Sequence, residues 1–594
     1  MIGVSTMLLA WLAASTKIYT IDSYVYLAKA QSLAHGRGLS VPWNDGVDRK
    51  FFWGYSLALA LPVRAFGESG FIVLACILHI FLGATFFRFL RLVEPRASVR
   101  VLALALLVFN PLLMWWGSVP ASEPLFTLLV LAAMRRAILF RRARERNARD
   151  AFFAAALAGF AVATRAEGCL LLIALVPVVL PRLWRERRLG LTLACFALCV
   201  APESLHIAYL HQHAIGTRSA SAYIDEMFGH AGEIKLLPAA WENLRAPFWT
   251  IFRFDTEADL YAKYFPSILV SAQTAIVYMY IACICVALIS GVRRRGAVFF
   301  SALAACVYAG IHAFWYYRYE RFMTVVTPFA ALVFASTLES VARKIAQLRP
   351  KPAHIAFLAS GAAMTITCAA YGTRVSEMHA KRLASREAGR DYRAIAARID
   401  AADPSHRPVV TDLGPYLAFY TSDRHAFFED ENEFYAQGVP WCEEGRAFLL
   451  EQNVGLVVSK SSAVVSANLL DLKPNDYDWL PGDPTILALH LRDRSPQVSD
   501  FSDRAFSSAP ILGRKLALDR VETNARRSGR CGELHVTASA RLLTSLAPGD
   551  DLFVHVDDAD RPSTRFDVER GVVIAQARAA GTDDFVETFV VHIP

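Results

Sequence analysis

Up to about residue 371 the chain is a succession of long apolar blocks separated by short charged loops; beyond it the blocks end and charges become dense. A helix that crosses a bilayer needs about 20 mostly apolar residues. Blocks of that kind run at roughly 2–19, 69–90, 99–116, 123–140, 151–164, 167–181, 189–206, 267–290, 297–316, 322–338 and 354–371, about eleven spans in all. The stretch 151–181 reads either as two short spans or as one long helix. The first block lacks the basic leader and the small-residue cleavage site of a signal peptide, so it reads as a span.

The loops differ in sign. Arginine and lysine crowd into Arg88–Arg100, Arg135–Arg149, Arg182–Arg188, Arg293–Arg295 and Arg343–Lys351. Loops of that kind stay on the cytoplasmic side. The alternating segments at about 20–68, 117–122, 207–266 and 317–321, with a short turn near Arg165–Glu167, then face outward. With the N-terminus inside, eleven spans also place the C-terminal tail outside. The long segment 207–266 carries Trp241, Phe248, Trp249 and Phe252, a mixture that suits helices lying along the membrane surface.

The tail, 372–594, reads as a soluble domain. A helix is expected over 386–400. Pro408–Thr411 and Val454–Val458 read as buried strands with a helix at about 443–452 between them, a small α/β unit. Beyond about residue 508, short alternating strands at 533–538, 551–556, 571–577 and 585–593 suggest a β-sandwich-like element. The expected fold is therefore a polytopic α-helical membrane domain over 1–371, followed by an extracytoplasmic soluble α/β plus β-sandwich-like domain over 372–594.

Composition agrees with the membrane reading. Hydrophobic residues make up 55% of the 594 and charged residues 20%, and the mean hydropathy is +0.33. The net charge of +8 comes from the topology-setting loops, not from a basic face on a soluble domain, so no nucleic-acid partner is expected. Eight of the ten cysteines lie in apolar blocks and read as small buried hydrophobes. Cys442 and Cys531 stand in the tail and are either a disulfide or two free thiols.

Candidate chemistry collects at the expected outer boundary. Asp22 follows the first span, in Tyr19-Thr-Ile-Asp22-Ser-Tyr-Val-Tyr26; it caps a helix, or faces a cavity as an ionised carboxylate, or does both. Arg49-Lys50-Phe51-Phe52-Trp53-Gly54-Tyr55 joins two cations to aromatics, which suits an interface anchor or a lipid phosphate. Glu123, in Ser122-Glu-Pro-Leu-Phe126, either complements a helix dipole or adds a second carboxylate to the same cavity. Arg165 and Glu167 form an ion pair inside an apolar hairpin, where charge is costly and points to function or to mutual neutralisation in a turn. Tyr317-Arg318-Tyr319-Glu320-Arg321-Phe322 sets two arginines among aromatics, as an interface anchor or a site for an anion with an apolar tail.

These stretches, taken in order and together with Gly36-Arg-Gly38 and Arg318-Tyr-Glu-Arg-Phe-Met-Thr-Val-Val-Thr-Pro328, resemble the GT-C superfamily of membrane glycosyltransferases. That group includes protein O-mannosyltransferases and the aminoarabinose transferases of lipid A. The resemblance covers about residues 1–371. It implies a polyprenyl-phosphate sugar donor, a glycan, lipid or protein acceptor, a place among the lipids of a bacterial inner membrane, and transfer at the outer face. Asp22 would be the catalytic or acceptor-positioning acid and Glu123 the second acid. Lys50, Arg49, Arg318 and Arg321 would hold the donor phosphate, with Arg165, Glu167, Tyr317 and Tyr319 as further candidates. Phe51-Phe52 stands where the aminoarabinose transferases have a proline pair. Any divalent cation, Mg or Mn, would fall to Asp22 and Glu123, although no paired-acid motif adjoins Asp22. Two other functions fit the same pattern: a lipid or polysaccharide transporter, and a non-catalytic protein whose tail binds envelope glycans. A transporter, however, binds its cargo near the midplane.

Overall fold

The computed structural model describes the chain except residues 17–20, 39, 43–51, 143–148, 166, 169–179, 181, 186–188, 213–250, 252–266, 295–296, 313–319, 349, 387–391, 412, 414, 422–425, 429–447, 450, 460–476, 481–486, 492–515, 529–530, 543–552, 559–560, 570–583 and 594. The chain divides into two units: Met1–Val41 with Val47–Gly389, and Pro42–Gly46 with Arg390–Pro594.

The first unit is helical. Its elements are α1 (Ile2–Thr16), α2 (Ile21–Ala34), α3 (Trp53–Phe66), a 3-10 turn at Gly67–Ser69, α4 (Gly70–Val93), α5 (Ala97–Val108), α6 (Pro111–Gly117) and α7 (Glu123–Arg142). Then come α8 (Arg149–Val162), α9 (Leu189–Gln212), α10 (Ser267–Arg294), α11 (Ala297–His312), a 3-10 segment at Glu320–Val326, α12 (Thr327–Leu348) and α13 (Pro350–Arg386). A helix stands at every expected span except 167–181, most of which lies outside the described residues, as does most of the expected surface segment 207–266.

Among the described residues, three stretches are long and apolar enough to cross a membrane: Trp53–Val93, Ser267–Ser290 and Arg321–Ile345. Ile2–Ser15, Leu189–Ala201 and Ala297–Gly310 are apolar but shorter. The chain is a membrane protein by this measure.

The expected straight span at 99–116 is broken instead. α5 and α6 meet at a bend of 45°. Asn110 and Pro111 are the cause. The Asn110 side chain accepts from the backbone N–H groups of Leu112 (3.0 Å) and Leu113 (3.2 Å), capping a new helix whose first residue is Pro111. The Asn110 amide also donates to the Ile251 carbonyl at 2.9 Å. The break places α6 and the turn after it, Ser118–Ser122, beside the start of α2.

α12 is the most enclosed of the apolar stretches. In its most apolar window 78% of residues are buried, against 39% in α10. It packs on α5, α10, α11 and α13. One end is tied by an ion network: Arg96 donates to Glu94 at 2.7 and 2.8 Å and to Glu339 on α12 at 2.5 Å, and Arg343 donates to Glu339 at 2.5 Å. The other end carries the 3-10 segment with Arg321.

The second unit opens with α14 (Tyr392–Ala402), the helix expected at 386–400. A five-stranded sheet follows, in the order β2 (Ala426–Phe428), β1 (Val409–Thr411), β3 (Leu456–Ser459), β5 (Leu487–Leu491) and β4 (Tyr477–Leu480), with α15 (Pro415–Tyr420) between β1 and β2. The two strands expected near 408–411 and 454–458 are β1 and β3, and they pair in parallel. Of the helix expected at 443–452, most lies outside the described residues; Phe448, Leu449 and Glu451 are helical.

Beyond these, β7 (Cys531–Leu542) pairs with β6 (Leu516–Ser528) and β10 (Asp584–Ile593), and β8 (Phe553–Asp558) pairs with β9 (Arg561–Glu569), all antiparallel. β6 and β9 are not among the expected strands, and 571–577 lies outside the described residues. So does Cys442, one of the two tail cysteines that read as either a disulfide or two free thiols.

Candidate active site

Four elements of the helical unit bring charge to one place. Asp22 lies in the first turn of α2, Glu123 opens α7, Arg165 and Glu167 follow α8, and Arg321 sits in the 3-10 segment before α12. On α7, α8 and α12 these are the ends remote from Arg142, Arg149 and Arg343, the residues of the basic loops.

Arg165 is the hub. Its guanidinium donates to Glu123 Oε1 at 2.5 Å, to Ser122 Oγ at 3.1 Å, and to the two Glu167 oxygens at 2.9 and 3.3 Å. The side chains of Glu123 and Glu167 are 3% and 4% exposed, so these charges are almost fully dehydrated and depend on one another. The ion pair expected between Arg165 and Glu167 is therefore one half of a three-member network.

Arg321 donates to the Asp22 carboxylate and passes within 3.7 Å of Glu123 Oε1. The Phe322 ring meets both cations, 5.2 Å from the Arg165 guanidinium and 5.3 Å from that of Arg321. Trp116 of α6 faces Arg321 at 5.9 Å. Among the described residues, three carboxylates against two guanidinium groups leave one formal negative charge in this group.

Hydrogen bonds tie the start of α2 to the turn before α7. Ser23 Oγ donates to the Pro120 carbonyl at 2.7 Å, and Tyr26 Oη donates to Ser122 Oγ at 3.1 Å. Burial, reinforced by the Glu123 charge, pushes the Tyr26 phenol well above its ordinary range, so it stays a donor. The rings of Tyr26 and Tyr55 meet edge to face at 5.0 Å. Tyr26, Tyr55, Ser122, Trp116 and Phe322 were not among the expected site residues. Tyr26 does lie one helical turn beyond Asp22, the spacing that puts two side chains on one face. Lys29, two turns beyond Asp22, is fully buried on α2 as well.

Of the remaining sequence-predicted residues, Arg49, Lys50, Arg318, Tyr317 and Tyr319 lie outside the described residues. The segment that follows Lys50 is nonetheless in place. Gly54 N–H donates to the Ala163 carbonyl at 2.9 Å. A Cβ on Gly54 would fall 2.5 Å from Thr164 Oγ1 and 2.7 Å from the Ala163 oxygen. Gly54→Ala should therefore force α3 off the turn that carries Arg165, at about 1–3 kcal/mol. Thermal denaturation in detergent should show a lowered midpoint, whereas Gly190→Ala, where a Cβ meets nothing within 4 Å, should leave it unchanged or slightly raised.

A divalent cation does not suit Asp22 and Glu123 as they stand. Arg321 already pairs with Asp22 Oδ2 and Arg165 with Glu123 Oε1, so a metal bridging these two oxygens would have to displace both guanidinium groups. Among the described residues no group of three or more His, Cys, Asp or Glu side chains converges elsewhere as a metal site.

No protein-family model and no curated protein matches the sequence. Solved structures do. ArnT from Cupriavidus metallidurans bound to undecaprenyl phosphate superposes with a TM-score of 0.50 at 12% identity, over 84% of this chain and 98% of that one. ArnT from the same organism in the apo state gives a TM-score of 0.46 at 12% identity, over 80% and 94%. At a TM-score of 0.50 the chain thus shares the fold of undecaprenyl-phosphate-bound ArnT across nearly the whole of that protein.

Proposed function

We propose that the chain is a glycosyltransferase that moves a sugar from a polyprenyl-phosphate donor to an acceptor hydroxyl at the outer face of a bacterial inner membrane. The observation that carries this reading is the convergence of Asp22, Glu123, Arg165 and Arg321 from four separate elements. On α7, α8 and α12 the cluster occupies the ends away from the basic loops, which the positive-inside rule assigns to the cytoplasm. The likeness in fold to ArnT, seen with undecaprenyl phosphate bound, supports this class of donor.

In the proposed reaction Asp22 accepts the proton of the acceptor hydroxyl. The acceptor oxygen bonds to the anomeric carbon while the bond from that carbon to the phosphate oxygen breaks. Polyprenyl phosphate leaves with the electron pair, and the glycoside is the other product. Arg321 is the described cation that meets the developing phosphate charge. It does so by turning from Asp22 to the phosphate, which frees the carboxylate to act as base. Lys50, Arg49 and Arg318 are proposed to complete the phosphate site, with Tyr317 and Tyr319 beside it. Glu123, Arg165 and Glu167 hold the geometry.

No step in this scheme uses a metal, so turnover should be unchanged by EDTA and by added Mg or Mn; a loss of at least tenfold in EDTA, restored by the metal, would contradict the scheme. The function itself is tested with membranes containing the full chain, a panel of polyprenyl-phosphate sugars and an envelope extract as the acceptor source. Free polyprenyl phosphate should appear with one donor and not with the Arg321→Ala protein. Its absence across the panel would overturn the proposal.

A further inference from the structure

At the other end of α2 there is a cavity of about 690 Å³, lined by Gln31, Ala34, His35, Val63, Arg64 and Gly67 among others. Its volume falls in the range of small-molecule sites. Three features mark its chemistry.

It is cationic. Among the described residues no acidic side chain lines it, and the neighbouring Glu68 does not contribute. Arg64, in the last turn of α3, is exposed and has no acidic partner among the described residues.

It is also open. Both helices stop at left-handed glycines, Gly36 (φ 75°) and Gly67 (φ 59°), and a Cβ at either would meet nothing within 4 Å. His35 Nδ1 donates to the Gln31 carbonyl at 2.7 Å, which fixes the ring and leaves Nε2 uncommitted to the helix.

Finally, an apolar track leads to it. Leu57 (45% exposed) and Leu61 (75% exposed) lie on the same stripe of α3 as Arg64, at helical spacing. Ile77, Ile80 and Phe81 of α4 are likewise exposed, within a stretch long and apolar enough to cross the membrane. An exposed apolar stripe that ends at a solvent-exposed guanidinium, beside a cavity with no described acidic lining, has the polarity of an amphiphile: hydrocarbon along the stripe, anion at its end.

We propose that this cavity binds the phosphate-bearing headgroup of an anionic membrane lipid, with Arg64 and His35 holding the phosphate and the acyl chains lying along Leu57 and Leu61. The site is separate from the Asp22 cluster, and its test reads binding, not turnover. The full chain, purified in detergent, is titrated with phosphatidylglycerol and with phosphatidylcholine, and the bound lipid is counted by native mass spectrometry. Phosphatidylglycerol should bind in preference. Arg64→Gln and His35→Ala should each weaken it by about tenfold, the scale of one lost charge-assisted hydrogen bond. Arg64→Lys should retain most of it, and Asp22→Asn should leave it unchanged. Helical circular dichroism and a single elution peak confirm that each variant is folded. Equal binding of the two lipids, or full phosphatidylglycerol binding by Arg64→Gln, would overturn the proposal. So would inorganic phosphate displacing the lipid at equal concentration, because the site would then recognise free phosphate.

Discussion

Asp22→Asn should fold normally and transfer sugar about 10²–10⁴-fold more slowly, the usual worth of a general base. The substitution is chosen for its geometry. Asparagine keeps an oxygen that can accept from Arg321, and Arg321 also retains Glu123 as a counter-charge at 3.7 Å. The start of α2 stays pinned by the Ser23 and Tyr26 hydrogen bonds. What disappears is the ability to take a proton. The loss should therefore fall on kcat, with donor affinity held within a few fold. Steady-state kinetics with saturating donor separates the two. An Asp22→Asn protein with full kcat would remove Asp22 from the reaction.

Arg165→Met should have the largest effect on stability. It would leave Glu123 and Glu167, both nearly fully buried, without the guanidinium that neutralises them. Removing one partner of a buried ion pair typically costs about 3–5 kcal/mol. Arg321 is too far from Glu123 for a hydrogen bond and is itself engaged with Asp22, so it offers little compensation. The cost arises from stranded carboxylates, which leads to a second expectation. Adding Glu123→Gln and Glu167→Gln to Arg165→Met should recover much of the stability but none of the activity. Thermal unfolding in detergent reads the first and transfer the second. If the single and triple variants are equally unstable, the loss comes from packing and not from buried charge.

The sequence shows much of the helical unit because a span is a local property. About 20 apolar residues between charged loops suffice to place α4, α7 or α10 within a few residues. The bend between α5 and α6 was also written locally, in Asn110-Pro111, but the apolar residues on both sides hid it. The pairings within the site are a different kind of information. Asp22 and Arg321 are 299 positions apart, and Arg165 and Glu123 are 42 apart. Each residue is conspicuous as a charge at an apolar boundary, yet nothing in its neighbours says which partner it takes. Arg321 read as a phosphate ligand; the structure shows it bonded to Asp22, so it must change partners to serve that role. In the tail, β6 and β9 escaped notice because Leu516–Ser528 and Arg561–Glu569 are rich in charged and polar residues and lack the alternating apolar pattern of a half-buried strand.

The most direct test uses one donor carrying two labels, one on the sugar and one on the polyprenyl chain, in vesicles that contain the full chain and envelope acceptors. The account predicts that the labels separate: the sugar label passes to the acceptor and the lipid label is recovered as free polyprenyl phosphate, at a rate that falls at least 100-fold with Asp22→Asn. If both labels instead cross together to the opposite leaflet, the donor intact, the protein moves lipid-linked sugars and does not transfer them.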